Sequence, residues 1–349
     1  MKRLLSLLSV VALLACLAAC SPATTDDTTT TTEAPTTTTT TPLPTGYNLL
    51  TGKTDLETSL DRPIGFMVPN DSKTIGSQPE IDKADFYLEC ETEGAIPRMM
   101  AVFSSIDRVP DTYGPIRSAR VPFVATARAL GAVYIHCGGS APADNILDTG
   151  VLDRVNAISE SSSLFWRDQT LRDRIDYVHS LVTGRDKLKA RIEKKGYSLT
   201  RVKDAPFTFG DKKGADTAAK VQLNTTPSHR ATFIYDEATG LYGKNIGKMD
   251  SCKPHLSLEG NQIKVANVLV LFAEKYVDGD SKGGTLYNFK EGAGKGYLIS
   301  GGTYREIAYT RTADSLSFQE LDGTTTQFAQ GKIYMVLADT SLKDKVIFA

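Results

Sequence analysis

The first sixty residues restrict where this chain can build a folded core. An apolar run from Leu4 to Ala19 follows Lys2 and Arg3, and Cys20 comes directly after small residues. This order is typical of a secretory signal, and the cysteine makes it a lipobox. The run is shorter than the about 20 apolar residues that a membrane-spanning helix needs. We therefore expect residues 1–20 to be a lipoprotein signal peptide and Cys20 to be lipidated.

Threonine dominates the next stretch, from Ser21 to about Gly46, which contains almost no apolar residues. Such a composition cannot bury enough surface to fold. We expect residues 21–60 to be a disordered tether that holds the globular part off the membrane. The N-terminus thus predicts a lipid-anchored protein at the extracytoplasmic face of the cell membrane, with the membrane as its first partner.

Charge and cysteine content exclude several classes of function. The chain has 40 basic and 41 acidic residues, so no overall positive charge favours nucleic acid binding. After Cys20, the remaining cysteines Cys90, Cys137 and Cys252 allow at most one disulfide. Because no CxxC, HExxH or spaced His/Cys cluster occurs, we predict no metal site and no cofactor.

Short apolar runs separated by turn residues predict an α/β domain over residues 61–210. The runs PIGFMV, FYLECE, RMMAVFS and AVYIHC, which begin at residues 63, 86, 98 and 132, are typical of strands. Between the last two, Pro122 suits the first turn of a helix and Gly131 suits the position that ends one. A strand, a helix and a second buried strand indicate an α/β unit.

The polar segment GDKKGADTAAK, residues 210–220, is the predicted domain boundary. Beyond it, over residues 221–349, short strands follow one another at even spacing with little helix between them, which predicts a β-rich, mainly antiparallel domain. The run GAGKG, residues 292–296, lacks the Lys-Ser/Thr ending of a phosphate loop, and we interpret it as a hairpin turn. The whole chain is therefore predicted to be α+β.

Several motifs resemble, in order, those of the YerB-like lipoprotein family. They are RPIGFMVPN, KADFYLECETEGAIPRMMAVFSS, YGPIRSARVPF, VYIHCGGS, FIYDEATGLY, ANVLVLF and GKGYLISGG. The resemblance implies an envelope-facing lipoprotein with paired N- and C-terminal domains of unknown function, and it implies no particular reaction. The chain departs from the family pattern at Ala95, Pro97, Lys244, Ser257 and Tyr309.

A cluster of cations at the start of the predicted helix is the best candidate for a ligand site. Arg117 and Arg120 would suit a phosphate or a carboxylate there, or they could pair with Glu89 or Glu93; both interpretations stay open. His136 precedes a glycine-rich turn that either binds a ligand or is simply tight. The predicted ligand-binding residues are Arg98, Arg117, Ser118, Arg120, His136, Gly138, Gly139 and Ser140. We expect them at one edge of the sheet, if strand 132–137 runs parallel to strand 98–104.

The alternation of Glu89, Glu91 and Glu93 predicts three carboxylates on one face of a strand, if the strand continues as far as Glu93. An ion-pair network with the arginines would compensate them. Our main hypothesis is therefore a non-enzymatic protein that binds an anionic envelope ligand or a protein partner. The alternative is a cell-wall glycan hydrolase that uses Glu89 and Glu93 as paired carboxylates with His136 nearby. A third possibility is a scaffold that docks a membrane protein.

Overall fold

One large sheet takes strands from both halves of the sequence. The computed structural model describes residues 44–226, 228–279 and 285–349. The first half contains the strands β1 (Ile64–Pro69), β2 (Phe86–Glu91), β3 (Pro97–Phe103), β4 (Thr112–Tyr113), β5 (Val133–His136), β6 (Arg154–Asn156), β7 (Phe165–Arg167) and β8 (Leu181–Gly184). Its helices are α1 (Val121–Ala129), α2 (Ala141–Asp148), α3 (Gln169–Arg174) and α4 (Arg185–Lys194).

The second half is made of short and medium strands, without an α-helix in its described residues. They are β9 (Thr208–Phe209), β10 (Asp216–Thr217), β11 (Lys220–Asn224), β12 (Arg230–Asp236), β13 (Leu241–Ile246), β14 (Lys253–Pro254), β15 (Lys264–Val265), β16 (Asn267–Ala273), β17 (Lys275–Gly279), β18 (Thr285–Phe289), β19 (Gly292–Ser300), β20 (Thr303–Arg311), β21 (Leu316–Glu320), β22 (Gln327–Phe328), β23 (Ile333–Asp339) and β24 (Ile347–Phe348). The α+β class predicted for the whole chain, with a strand-rich second half, is confirmed.

Strand β23 joins the two halves. The main sheet has the order β10-β20-β19-β16-β23-β2-β3-β1-β5-β6, and β23 is parallel to both of its neighbours, β16 and β2. A second sheet has the order β14-β13-β12-β11-β24. The sequence ranges 61–210 and 221–349 therefore contribute to one continuous sheet, and the described residues form one compact unit.

Both faces of the main sheet are covered, which explains the unbroken apolar run in β3. Met99 and Ala101 belong to a core cluster with Phe233 of the second sheet. Met100 belongs to the cluster on the other face, together with Phe123 of α1. Strands that are buried on both faces need apolar residues at every position, so alternation is absent there.

Helix α1 has the boundaries that its sequence favours. Pro122 lies in the first turn, and Gly131 takes a positive φ of 63° directly after the helix. The chain then enters β5, which pairs parallel with β1 and with β6. Because β5 is parallel to β1 and β1 is antiparallel to β3, strand 132–137 does not run parallel to strand 98–104, which was the condition for our expectation of one shared edge.

Two further expectations differ from the structure. The glycine-rich run 292–296 is the first part of strand β19 and pairs with β20, so it is no hairpin turn. Residues 44–60, which we assigned to the tether, are packed onto the body, where Leu50 is buried and Asn48 hydrogen-bonds to Asp55. Tyr47, Leu49 and Leu50 follow the threonine tract, and their apolar surface allows packing. The remainder of the tether, the signal peptide and Cys20 lie outside the described residues.

Within residues 44–226, 228–279 and 285–349, no helix combines the length and apolarity that crossing a membrane requires.

Candidate functional site

The segment GPIRSAR lies at the carboxyl ends of the parallel strands β1 and β5. The Arg117 N–H donates to the carbonyl of Met67 (2.8 Å), and the Cys137 N–H donates to the carbonyl of Arg117 (2.9 Å). Arg117 is thus inserted between the two strand ends. This edge of a parallel sheet is where α/β proteins usually bind ligands.

The same segment continues beside the glycine-rich turn after β5. The Ala119 N–H donates to the Gly138 carbonyl (2.8 Å), and the Ser140 N–H donates to the Ala119 carbonyl (3.2 Å). Gly138 has a φ of 65°, which glycine adopts without strain. The backbone therefore brings residues 117–120 and 136–140 together at one edge, and helices α1 and α2 both begin there.

Arg98 and Arg120 share the carboxylate of Glu93. Arg120 Nε donates to Glu93 Oε2 (2.7 Å), and its Nη2 donates to Oε1, which makes a bidentate pair. Arg98 Nη2 lies 3.3 Å from Glu93 Oε1, and Arg98 Nη1 donates to the Ser118 carbonyl (3.4 Å). Ser118 thus enters the cluster through its backbone. Both guanidinium groups are buried, whereas the Glu93 side chain is 33% exposed, so the cluster is open to solvent on its Glu93 side.

The charges of this cluster control the protonation of its members. Burial opposes the ionisation of Glu93, but the hydrogen bond from Arg120 and the charge of Arg98 outweigh it and lower the pKa of Glu93 to about 2. Burial lowers the pKa of Arg98 to about 10, and the charge of Arg120 adds to this effect. At neutral pH, Glu93 is a carboxylate and both arginines carry a positive charge.

Arg117 is the accessible cation of the edge. Its side chain is half-buried and makes no ion pair or hydrogen bond with another residue in the described part of the chain. Burial lowers its pKa, which the charge of Asp71 opposes. The Asp71 carboxylate is already 3.5 Å from His179 Nε2. The guanidinium groups of Arg98, Arg117 and Arg120 therefore lie near the carboxylate of Glu93. Arg98 and Arg120 contact this carboxylate, and Arg117 does not.

His136 lies in the core beneath this edge. Its Nδ1–H donates to the Gly138 carbonyl (2.8 Å), and its ring stacks on Tyr134 with centroids 5.3 Å apart. Burial lowers the pKa of His136 to about 4, so the ring is neutral at pH 7. His136 Nε2, the Tyr134 hydroxyl and the Ser140 hydroxyl are buried and have no hydrogen-bond partner in the described structure.

The carboxylates of Glu89 and Glu93 belong to different environments. Strand β2 ends at Glu91, and Glu93 lies in the 3-10 turn Glu93–Ala95, so the expectation of three carboxylates on one strand face is wrong at Glu93. Gly94 takes a φ of 66° within that turn, which ends the strand geometry. Glu91 pairs with Lys275 (2.6 Å). The two candidate catalytic carboxylates therefore do not face one cleft.

Glu89 is fully buried in an ion-pair network that sequence reasoning missed. Lys244 Nζ lies 3.1 Å from Glu89 Oε2, the Tyr334 hydroxyl donates to the same oxygen (2.5 Å), and His229 Nε2 lies 3.3 Å from Oε1. Burial opposes the ionisation of Glu89, but the charge of Lys244 outweighs it and holds the pKa of Glu89 well below its usual range. The network connects β2 to the second sheet.

The hydrogen bonds around His255 determine its tautomer. Gln78 Nε2 donates to the Pro69 carbonyl (2.6 Å), which turns Gln78 Oε1 toward His255 Nε2 (2.7 Å). His255 Nε2 therefore carries the proton, and Nδ1 accepts from the Lys244 ammonium (3.1 Å). No local pattern could have revealed this chain of contacts, because Gln78 and His255 are 177 residues apart.

A separate cleft of about 570 Å³ is lined by charged residues that include Glu80 and Glu259. Several of its charged groups are already paired. Lys83 contacts Glu80, and Arg185 lies 2.8 Å from Asp111. In the described part of the chain, no group of three or more His, Cys, Asp or Glu side chains is arranged to hold a metal ion.

These features define an α+β protein whose two halves share one sheet and whose cationic edge lies at the strand ends of the first half. The sequence matches the family described as Protein of unknown function (DUF3048), with the N-terminal domain over residues 50–198 and the C-terminal domain over residues 220–335. The chain belongs to this family, and the resemblance to YerB-like lipoproteins is confirmed.

One relative and one solved structure are similar over most of the chain. The "Putative lipoprotein YerB" of Bacillus subtilis (strain 168) is 27% identical over 291 residues, which cover 82% of this chain and 84% of the relative. The crystal structure of the YerB protein from Bacillus subtilis has a TM-score of 0.72 and 26% identity, and the match covers 86% of this chain and 98% of that one.

Proposed function

We propose that this protein is a lipid-anchored, extracytoplasmic binding protein that holds an anionic group of an envelope ligand or protein partner. The proposed site is the sheet edge formed by residues 117–120 and 136–140, which we call the Arg117 edge. The lipobox at Cys20 supports the anchor, and so does the similarity to a protein named as a lipoprotein. The lipid would keep the binding edge within reach of the cell envelope.

The unpaired guanidinium of Arg117 is the observation that carries this proposal. A half-buried charge is partly desolvated, so its interaction with an anion is stronger than that of a solvated side chain. Among the described residues, Glu93 is the carboxylate that compensates the neighbouring guanidinium groups of Arg98 and Arg120. An incoming carboxylate or phosphate would add the missing negative charge, and Arg117 could bind it with two parallel hydrogen bonds.

No observation favours the glycan hydrolase. Glu89 is fully buried against Lys244 and cannot reach a polysaccharide. Glu93 has a pKa of about 2 and cannot act as the general acid at neutral pH, since a glycosidase acid needs a raised pKa. His136 is neutral and buried. The binding function therefore agrees better with the geometry.

Calorimetry and tryptophan fluorescence test the proposal together. The chain has a single tryptophan, and this residue, Trp166, lies on β7, where its neighbour Arg167 pairs with Leu181. The Leu181 carbonyl accepts from the N–H of Ile116, so β8 connects the strand of Trp166 to the segment of Arg117, and the indole itself lies 4.9 Å from Lys187 Nζ. Soluble peptidoglycan fragments, inorganic phosphate and glycerol phosphate serve as probes, each titrated into the same preparation.

We expect one of these anions to bind and to change the emission of Trp166. Arg117→Gln should weaken that binding by about tenfold or more, because a hydrogen bond to a charged group contributes ~1.5–3 kcal/mol. Arg230→Gln is the matched control, since Arg230 is a half-buried arginine of the second sheet. Absence of binding by every probe, or equal affinity of Arg117→Gln and wild type, would refute the proposed site.

A further inference from the structure

Three apolar side chains are exposed at the edge of the main sheet that lies opposite Arg117. Leu60, Val151 and Val202 expose 52%, 44% and 58% of their surface. We call them the amino-edge patch, because they surround the amino ends of β1 and β5. Exposed apolar groups that cluster in this way often mark an interaction surface.

Contacts between the surrounding segments show that the patch is continuous. Val151 and Val202 line one cleft of about 390 Å³. The Arg201 N–H donates to the carbonyl of Leu60, which places Leu60 beside Val202. A methyl group added to Gly131 would meet Val202 Cγ2 at 3.4 Å, and Gly131 comes just before β5. The patch therefore lies at the amino end of β5, whereas Arg117 lies at its carboxyl end.

The chain enters the folded body next to this patch. Tyr47 and Ser59 line a small cavity together with Lys203, and Lys203 also lines the cleft of the patch. The described structure begins at Pro44, twenty-four residues after Cys20. That length of chain spans at most roughly 80 Å when extended. A lipid at Cys20 would thus allow the patch to touch the bilayer without forcing it to do so.

Cationic side chains flank the apolar residues. Lys203 is exposed, and its Nζ donates to the carbonyl of Asp314 (2.6 Å) without a carboxylate contact among the described residues. Arg201 lies 3.4 Å from Asp204. Lysine and arginine can bury their stems beside apolar groups while their charges face lipid phosphates.

We infer that the amino-edge patch rests on the surface of the bilayer that holds the anchor, with Leu60, Val151 and Val202 at the level of the head groups. This inference rests on the proposed lipid anchoring. It gives the protein an orientation, in which the amino ends of β1 and β5 face the membrane. The Arg117 edge then points away from the bilayer, toward ligands or partners of the envelope.

Quenching by brominated lipid tests the orientation in the full, lipidated chain. The protein is reconstituted into vesicles of phosphatidylglycerol and dibrominated phosphatidylcholine. One tryptophan is moved to the patch with Trp166→Phe/Val202→Trp, and Trp166→Phe/Leu60→Trp is an independent second variant. The matched control is Trp166→Phe/Ile158→Trp, because Ile158 is 71% exposed and packs on Gly138 at the Arg117 edge.

We expect both patch variants to lose emission in brominated vesicles relative to vesicles without bromine, and the Ile158 control and wild type to keep theirs. Adding Lys203→Glu to the Val202→Trp variant should reduce the loss. Equal quenching of the Ile158 control, or no quenching of either patch variant in protein that floats with the vesicles, would overturn the orientation while the anchoring stands. Failure to float would overturn the anchoring itself and, with it, this inference.

Discussion

The protonation states of buried residues decide most of the chemistry of this protein. Glu93, Glu89 and His136 were all candidates for a site from sequence, and their residue types and approximate locations could be predicted. An arginine partner for Glu93 was one of the open interpretations, and Arg120 fills that role. The partners of Glu89 could not be predicted, because Lys244 and Tyr334 come from strands more than 150 residues away in sequence. When the partners of a buried carboxylate are so far away in sequence, no local sequence pattern indicates the ion pair.

Removal of Lys244 should show how costly an unpaired buried charge is. Lys244→Met leaves the Glu89 carboxylate without its main partner, and we expect a loss of ~3–5 kcal/mol in the free energy of unfolding. The double variant Glu89→Gln/Lys244→Met should lose less, because both charges are gone. Lys290→Met, at the exposed pair with Glu274, should cost less than ~1 kcal/mol. Urea unfolding measures all three, and equal losses in the single and double variants would contradict the ion pair.

His136 should make stability depend on pH below neutrality. Its pKa is about 4 in the folded protein and about 6.5 when unfolded, so the unfolded state binds a proton first as the pH falls. Stability should therefore decrease between pH 6.5 and 4, by at most about 3 kcal/mol from this residue.

The variant His136→Phe should unfold with a weaker dependence on pH over the same range. Its ring can still stack on Tyr134, and it has no titrating group. His255, whose pKa burial also depresses, keeps part of the slope. Urea midpoints at pH 7 and pH 4.5 give the comparison, and an identical slope in the variant and the wild type would count against a buried neutral His136.

At the scale of elements, the sequence predicts helix α1 and most residues of the strands β1, β2, β3, β5 and β16. Pro122 and Gly131 are local signals, and their effect does not depend on the rest of the chain. The pairing of strands depends on contacts between distant segments, so the sequence could not determine the neighbours of β5, which are β1 and β6. The prediction of a hairpin turn at residues 292–296 was wrong for another reason. A glycine in a strand cannot be distinguished by sequence from a glycine in a turn.

Gly294 in β19 provides the space for Tyr309 of the adjacent strand. A methyl group at this position would lie 2.6 Å from the Tyr309 hydroxyl, which donates to the Phe272 carbonyl (2.7 Å). Gly294→Val should displace the ring and destabilise the protein by ~1–3 kcal/mol. Ala293→Val is the control, because Ala293 is exposed on the same strand and should be nearly neutral. Thermal unfolding distinguishes them, and an unchanged melting temperature for Gly294→Val would refute the close approach.

At the scale of the whole molecule, the sequence indicated two domains, and the structure has one sheet across them. The polar segment 210–220 is a true change in composition, yet β23 lies between β2 and β16 and provides hydrogen bonds to both. Composition along the chain cannot report which strands complete a sheet. The α+β class could be predicted because it depends only on which elements occur.

A fragment of residues 44–210 should therefore fail to fold stably by itself. Without β23, strand β2 has an unpaired edge, and Glu89 loses Lys244 and Tyr334. We expect no cooperative unfolding transition by circular dichroism, and little protection of β2 in hydrogen exchange, compared with residues 44–349. A fragment that unfolds cooperatively would show that the first half has a sufficient core.

The position of β23 also determines when the main sheet can be completed during synthesis of the chain. A ribosome delivers residues 86–91 long before residues 333–339, so strand β2 lacks one of its two neighbours until β23 has been synthesised. Contacts of such high separation slow folding and leave strand edges open in the meantime. The edge of β2 therefore stays open to wrong partners for as long as the chain between residues 91 and 333 is being made.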